Sequence, residues 1–153
     1  MIRVRPARPD DAAQLADFNA ALARESEERE LEPARLLSGV SRLLADSGRG
    51  LYFVAERDGR ALGCCMLTRE WSDWRDGWFL WLQSVYVEPA ARGAGVFRAL
   101  WAEVRRHAAG DADVIGLRLY VERDNARARA VYAALGLHET DYRLYEIALP
   151  PPE

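Results

Sequence analysis

The segment from Val85 to Arg98 combines residue types that could hold an anion. It predicts a strand, a tight glycine turn and then a helix. Gly93 and Gly95 would let the backbone approach a phosphate closely, and the amides of the helix's first turn would point at it. Arg92 and Arg98 add positive charge beside the turn. A plain strand-to-helix turn with glycines at positive φ is the alternative, because the glycine spacing by itself is a weak signal.

Two nucleotide-binding motifs do not fit this turn. The dinucleotide fingerprint requires a third glycine where Arg98 stands. A Walker loop ends in Lys-Ser or Lys-Thr, and all 21 basic residues of the chain are arginine. The lack of lysine also excludes a Schiff-base lysine and a lysine general base.

A second segment with chemical potential runs from Asp124 to Leu137. Asn125 and Tyr132 are seven residues apart, so two turns of a helix would place them on nearly the same face. A capping role for Asn125 and a packing role for Tyr132 form the alternative, which this segment taken alone favours.

Together the two segments resemble the GCN5-related N-acetyltransferase (GNAT) superfamily. Its acetyl-CoA loop follows the pattern Arg/Gln-x-x-Gly-x-Gly/Ala, which Arg92 and Gly95 match and Phe97 does not. Its other signature, Asn-x-x-Ala-x-x-x-Tyr-x-x-x-Gly-Phe, is matched here with Leu137 in the last position. The resemblance implies an α/β fold, with a central mixed, mostly antiparallel sheet and helices on both faces.

The resemblance also implies acetyl-CoA as co-substrate, in an opening between the fourth and fifth strands. Its expected contacts are the backbone of Val85 and Val87, the turn residues Arg92, Gly93, Ala94, Gly95, Val96, Phe97 and Arg98, and Asn125. Tyr132 resembles the acid that protonates the departing CoA thiolate. The implied activity is acetyl transfer to a primary amine of a small molecule or a protein. A non-catalytic acyl-CoA-binding or regulatory module on the same fold is the alternative.

Gln83 stands where many relatives carry a glutamate that serves as general base. An amide cannot accept the proton at neutral pH, so we expect Gln83 to orient substrate or water, with deprotonation through water. The candidate proton acceptors are Glu70, Asp73, Asp76 and the glutamates of residues 25–32. Each of these carboxylates is also typical of an ordinary protein surface.

Trp71 and Trp74 are the candidates for lining an acceptor pocket, because aromatic faces near acidic residues suit a cation. Most tryptophans in this region are nevertheless typical of core packing.

Periodicity and turn signals predict the elements that must position these residues. The predicted strands are 2–5, 51–56, 61–68, 78–87, 114–121 and 142–149. The predicted helices begin at Asp10 or Asp11, at Pro33, at Gly93 or Gly95, and after a capping Asp124. Asp58-Gly59 predicts a hairpin, and 70–77 a loop. The order β-α-α-β-β-β-α-β-α-β predicts a single domain over residues 1–149, followed by a Pro-rich tail at 150–153.

Composition limits the class of protein. The chain has 153 residues, 50% of them hydrophobic and 29% charged, with a net charge of -3. These values are typical of one globular domain, and they argue against a nucleic-acid-binding protein. No secretory leader or membrane-spanning stretch is evident, so we expect a cytoplasmic location.

The cysteines and histidines do not predict a metal site. Cys64 and Cys65 are adjacent, which suits neither a disulfide nor a zinc site and predicts two buried thiols. His107 and His138 lie far apart, so we expect surface or packing roles. The family resemblance also allows a homodimer.

Overall fold

The computed structural model describes residues 1–150. The chain divides into two compact units, Met1–Leu119 and Tyr120–Glu153. The predicted tail therefore lies outside the described residues except for Pro150.

The first unit contains a sheet and three helices. Its strands are β1 (Arg3–Pro6), β2 (Leu51–Arg57), β3 (Arg60–Ser72), β4 (Gly77–Val87) and β5 (Val114–Arg118). Its helices are α1 (Ala12–Glu27), α2 (Pro33–Ala45) and α3 (Val96–Ala109). The strands form one sheet in the order β1-β2-β3-β4-β5. Only β4 and β5 run parallel, which confirms the predicted mixed, mostly antiparallel sheet.

Both hairpins of the sheet follow from local chemistry. Asp58 and Gly59 have φ values of 52° and 78°, the positive values that a two-residue hairpin turn requires, which confirms that prediction. The second hairpin is longer than predicted, because half of the segment expected to be a loop, residues 70–72 and 77, is strand, and only residues 73–76 form the turn. Trp71 pairs with Trp78 across β3 and β4, and their rings meet edge to face at 4.9 Å. This cross-strand contact favours extension of the ladder to the end of β3.

Helices cover both faces of the sheet. Helices α1 and α2 pack on one face, which we call the α1/α2 face. Its core residues are Leu15, Phe18, Val40, Tyr52, Val54, Cys64 and Tyr86. On the opposite face, α3 buries Val96, Leu100 and Val104. The rings of His107 and Phe53 pack edge to face with their centres 5.6 Å apart, so His107 has the expected packing role.

The two adjacent cysteines are both free and fully buried, as predicted. Burial raises the pKa of Cys65 to about 12 and also raises that of Cys64. Both groups are therefore neutral thiols near pH 7, which suits core residues.

The second unit contains α4 (Ala126–Ala134). Asn125, and not Asp124, caps this helix, because the Asn125 side chain accepts a hydrogen bond from the Ala128 amide at 3.1 Å. Residues 142–149 carry no assigned strand, so the last element of the predicted order has no counterpart in the described chain. Alternation alone cannot form a strand, since a strand also needs a hydrogen-bonded neighbour. Similarly, β5 ends at Arg118, short of the predicted 121.

Within the described residues, no helix has the length and apolarity that crossing a membrane would need.

A buried ion-pair network fixes the first strand to the start of α1. Arg5 donates to both carboxylate oxygens of Asp11, at 2.8 and 3.0 Å, and to Glu56 on β2 at 2.9 Å. The side chains of Arg5 and Asp11 are only 14% and 17% exposed. Hydrogen bonding to Arg5 holds the pKa of Asp11 below its ordinary value. The ionised Asp11 therefore stabilises the fold above its unfolded pKa, and this stability is lost as pH falls through the lower, folded pKa.

We predict that Asp11→Asn lowers the free energy of unfolding by about 1–2 kcal/mol at pH 7, because a charged hydrogen-bond acceptor is lost. The difference from wild type should shrink as pH falls below about 4, where Asp11 of the unfolded state takes up a proton, and it should vanish below the lower, folded pKa. Urea unfolding at several pH values measures this difference. Asp10→Asn, which removes the same charge next to the network, should have little effect. A constant difference down to pH 2 would contradict the electrostatic explanation.

Candidate active site

The edge of β4 is only partly paired with β5. The two strands run parallel and pair from Trp78 to Trp81 on β4 and from Val114 to Arg118 on β5. Beyond this point β4 continues to Val87. No strand in the described part of the chain pairs with this edge of β4 after Trp81. On this side β4 therefore has no strand neighbour beyond Trp81 within the described residues, and we call the space beside it the opening.

The orientation of the Val87 peptide shows which groups face this opening. The Glu88 amide donates to the Leu62 carbonyl on the β3 side at 2.9 Å. The Val87 carbonyl belongs to the same peptide and points the opposite way, towards the opening, where it accepts from Arg92 Nε at 3.0 Å. By the same alternation the Val85 carbonyl faces the opening as well. Val85 and Val87 are the two residues whose backbone the family resemblance implies as contacts of acetyl-CoA.

The turn after β4 ends in the positive end of α3. Gly93 and Gly95 have φ values of 78° and 87°, in the left-handed region that favours glycine. Gly95 is the N-cap residue of α3. The first amide to donate to a helix carbonyl is that of Ala99, which bonds to Gly95 O at 3.0 Å. The amides before Ala99 therefore precede the helix's own hydrogen bonding and give the turn a partial positive charge.

The two arginines of the turn differ in their partners. Arg92 donates from Nε to the Val87 carbonyl at 3.0 Å, and from Nη2 to Glu25 of α1 at 2.5 Å. Its charge is therefore compensated within the protein. Arg98 is exposed, and no ion pair is recorded for it within residues 1–150. Of the two, Arg98 is the arginine whose charge is available to a bound anion.

A β-bulge sets the face on which Gln83 lies. Cys64 pairs with Tyr86 and Met66 pairs with Gln83, so β4 has one residue more than β3 between these pairs. The bulge occurs at Ser84, whose φ is 50°. Gln83 therefore shares the α1/α2 face with Tyr86, although the two are separated by an odd number of positions.

Gln83 is held by a neighbour on β3. The Thr68 hydroxyl donates to Gln83 Oε1 at 2.7 Å. Because the carboxamide oxygen accepts this bond, the Gln83 amide nitrogen is the group turned away from Thr68. The arrangement fixes one orientation of the amide, so Gln83 is a hydrogen-bond donor on this face.

Glu70 lies on the same face, two positions after Thr68, and is already bound by two donors. It accepts from Trp81 Nε1 at 2.8 Å and from Arg118 Nη1 at 3.1 Å. The Arg118 guanidinium also stacks at 3.6 Å from the ring centre of Phe79. Glu70 is thus part of a polar cluster that joins β3, β4 and β5.

A cavity of about 280 Å³ lies between α1, α2 and the α1/α2 face. Its lining residues are Asn19, Arg35, Leu36, Gly39, Val40, Leu43, Tyr52, Met66 and Ser84. Asn19 donates to the Tyr52 hydroxyl at 3.0 Å. Burial raises the pKa of Tyr52, so its hydroxyl stays protonated at neutral pH. The cavity therefore combines apolar walls with a few fixed polar groups, which is typical of a small-molecule pocket.

The structure does not bring the two candidate tryptophans to Gln83. Trp71 lies one position from Glu70 on β3, so it points to the opposite face of the sheet. It is 47% exposed and packs on Trp78. Trp74 lies in the loop after β3 and is 84% exposed.

In the second unit, the side chains of Asn125 and Tyr132 have distinct roles. The Asn125 oxygen caps α4, as the structural alternative predicted. Tyr132 is half-buried on the same helix, and this burial raises its pKa. Its hydroxyl is therefore protonated at neutral pH and can act as a proton donor.

Sequence reasoning missed four residues of the first unit that support these groups: Asn19, Tyr52, Thr68 and Arg118. Thr68 lies near Gln83 because of the β3–β4 register, which the loop expected over residues 70–77 left undefined. No sequence signal indicates that Asn19 approaches Tyr52, because the contact depends on how α1 packs on β2.

Comparison with known proteins assigns the family. The family model described as "Acetyltransferase (GNAT) family" matches residues 15–137. The chain therefore belongs to the GNAT family of acetyltransferases, and the match extends across the boundary between the two units.

Individual relatives agree with this assignment. The chain is 36% identical over 137 residues to a mycothiol acetyltransferase of Streptomyces coelicolor. The aligned region covers 86% of this chain and 41% of that protein. The chain thus spans about two fifths of the length of this curated relative. A possible acetyltransferase from Clostridium difficile 630 has the same fold with a TM-score of 0.92 and 41% identity, and 99% of each chain is covered. A predicted acetyltransferase from Clostridium acetobutylicum, whose structure was solved with acetyl-CoA, has a TM-score of 0.79 at 18% identity, with 96% of each chain covered.

Proposed function

We propose that this protein is an acetyl-CoA-dependent N-acetyltransferase that acetylates a primary amine. The observation that carries the proposal is the unpaired edge of β4, which leads directly into the glycine turn at the positive end of α3. An extended chain with amide groups can pair with such an edge, and a pyrophosphate can bind at such a turn. Acetyl-CoA contains both groups in one molecule.

On the donor side, each part of acetyl-CoA has a complementary group. The pantetheine amides would pair with the backbone of Val85 and Val87, in the manner of an added strand. The pyrophosphate would accept hydrogen bonds from the turn at residues 93–97, where left-handed glycines leave the backbone accessible. Arg98 would contribute the uncompensated positive charge.

On the acceptor side, we assign the amine to the cavity on the α1/α2 face. Met66 and Ser84 line this cavity and are neighbours of Gln83 in the sheet, so the cavity is adjacent to the proposed reaction centre. Tyr52 and Asn19 supply polar contacts, and the apolar walls would hold the acceptor's carbon skeleton. Trp71 and Trp74 are not part of this assignment, because Trp71 lies on the other face and Trp74 is in an exposed loop.

The reaction needs one proton removed and one delivered. The neutral amine attacks the thioester carbonyl carbon, whose π electrons move to oxygen and form a tetrahedral oxyanion. The Gln83 amide is a donor held by Thr68 and would orient the amine or a water that carries its proton away. When the intermediate collapses, the C–S bond breaks, and Tyr132 would protonate the leaving thiolate.

An acceptor screen with detection of free CoA thiol tests the proposal. The panel comprises small amines, amino acids, aminoglycoside antibiotics and peptides with a free N-terminus, each with acetyl-CoA. Release of CoA that depends on one acceptor class supports the enzyme. Tight CoA binding without turnover of any acceptor would favour the alternative, a non-catalytic acyl-CoA-binding module, which the amide at position 83 suggests.

We predict that Gly95→Glu abolishes CoA binding, because the side chain places bulk and negative charge against the pyrophosphate. Calorimetric titration with CoA measures the affinity. Gly59→Glu is the matched control, since it adds the same charge at another glycine of positive φ with open space around its Cβ. It should leave the affinity unchanged. Equal CoA affinity of wild type and a folded Gly95→Glu variant would refute the loop assignment.

The pH dependence tests the role of Gln83. If water carries the proton away, the rate should rise with pH towards the pKa of the acceptor amine, and it should shift when acceptors of different pKa are compared. Gln83→Glu should keep or increase activity at low pH. Initial rates between pH 6 and 10 provide the measurement. A limb that stays at one pH for all acceptors would instead indicate a base on the enzyme.

We predict that Tyr132→Phe reduces the single-turnover rate of acetyl transfer by about 10²–10⁴-fold, the usual range for loss of a general acid. CoA affinity and thermal stability should change little, because the ring remains. Single-turnover measurement is needed, since product release can hide the effect on steady-state rates. An unchanged single-turnover rate would make Tyr132 a packing residue.

A further inference from the structure

Glu25 connects the end of α1 to the turn that follows β4. One carboxylate oxygen accepts from Arg92 Nη2 at 2.5 Å, and the other accepts from the Tyr86 hydroxyl at 3.3 Å. Arg92 in turn donates from Nε to the Val87 carbonyl at 3.0 Å. The guanidinium also lies 5.8 Å from the centre of the Tyr86 ring. Two segments of the first unit that are distant in sequence, the end of α1 and residues 86–92, therefore meet at one guanidinium.

Each contact of Arg92 restricts the turn in a different way. The bond to Val87 folds the side chain back along the edge of β4. The bond to Glu25 uses a separate nitrogen and fixes the plane of the guanidinium. Because Gly93 follows immediately and is at positive φ, the backbone of Arg92 sets where the glycine turn begins. Without Glu25, the guanidinium keeps its bond to Val87 but loses its second anchor.

We infer that Glu25 is a positioning residue for acetyl-CoA binding: it holds Arg92, and through Arg92 the start of the turn at residues 93–97, in the geometry that receives the pyrophosphate. This inference rests on the proposed function. It gives a specific role to one glutamate of a charge-rich segment that otherwise resembles a solvated surface.

The exposure of the pair separates this role from a purely stabilising one. The side chains of Arg92 and Glu25 are 40% and 42% exposed. Ion pairs at such exposure contribute little to the stability of the fold. Loss of the pair should therefore leave the protein folded and change mainly the geometry of the turn, so the effect should be visible in donor binding.

The experiment compares the full chain with its Glu25→Gln variant in CoA titration and in acetyl-CoA kinetics. We expect the Kd for CoA and the KM for acetyl-CoA to rise about 5- to 10-fold, roughly the effect of one charged hydrogen bond at a partly exposed site. The kcat should stay within about twofold, and the melting temperature should be nearly unchanged.

Glu30→Gln is the matched control, because it removes the exposed ion pair between Glu30 and Arg24 close to the same helix end. It should not alter CoA binding. A double-mutant cycle with Arg92→Ala gives the decisive readout: if Glu25 acts through Arg92, Glu25→Gln should have no further effect on the Kd in the Arg92→Ala background.

The outcomes distinguish this inference from the function on which it rests. If wild type does not bind CoA, the proposed function fails, and the inference fails with it. If wild type binds CoA but Glu25→Gln binds equally well, only the role of Glu25 is overturned. Additive effects of the two substitutions, or equal weakening by Glu30→Gln, would also overturn it, because the effect would then reflect surface charge and not the contact with Arg92.

Discussion

Incomplete pairing between β4 and β5 is the constraint on which the rest of the site depends. Parallel strands usually continue side by side, but here pairing stops at Trp81 while β4 continues to Val87. A strand edge that lacks a partner is unfavourable unless something covers it. At this position the same edge leads into the glycine turn at the positive end of α3, so the edge and the turn adjoin each other. A ligand with an amide-containing arm and a pyrophosphate satisfies both features together.

The bulge at Ser84 changes the alternation of side chains along β4. The strand presents its backbone to the opening, and it presents Gln83 to the α1/α2 face. In the proposed function, this strand would contact the acetyl donor along its edge and the acceptor on its face. Because Thr68 fixes the Gln83 amide as a donor, the chemistry at this position differs from that of a carboxylate base. The acceptor's own pKa then becomes important for the rate.

Arginine is the only strong base of this chain, and the structure uses it in separate roles. Arg5 fixes β1 to the start of α1, Arg118 joins β5 to Glu70, and Arg92 links the turn to α1. Arg5 and Arg92 donate from separate nitrogens, and Arg118 donates from Nη1 while its plane stacks on the Phe79 ring. A planar guanidinium provides this geometry and a lysine ammonium does not. Of the two arginines of the turn, Arg92 is thus held by an ion pair, whereas Arg98 forms no salt bridge within residues 1–150.

The sequence by itself determined most of the helices and strands and indicated the family, because these depend on local signals. Asp58-Gly59 predicted its hairpin, and apolar periodicity predicted α1, α2 and α3. The spacing of Arg92 and Gly95 indicated the family, which the match of the family model to residues 15–137 confirms. Local periodicity could not predict the face of Gln83, since simple alternation puts it opposite Tyr86 and only the bulge at Ser84 brings both to one face. It also could not predict that Arg92 contacts Glu25, or that Trp71 points away from Gln83. These features were decided by strand register and helix packing, which join residues that are distant in sequence.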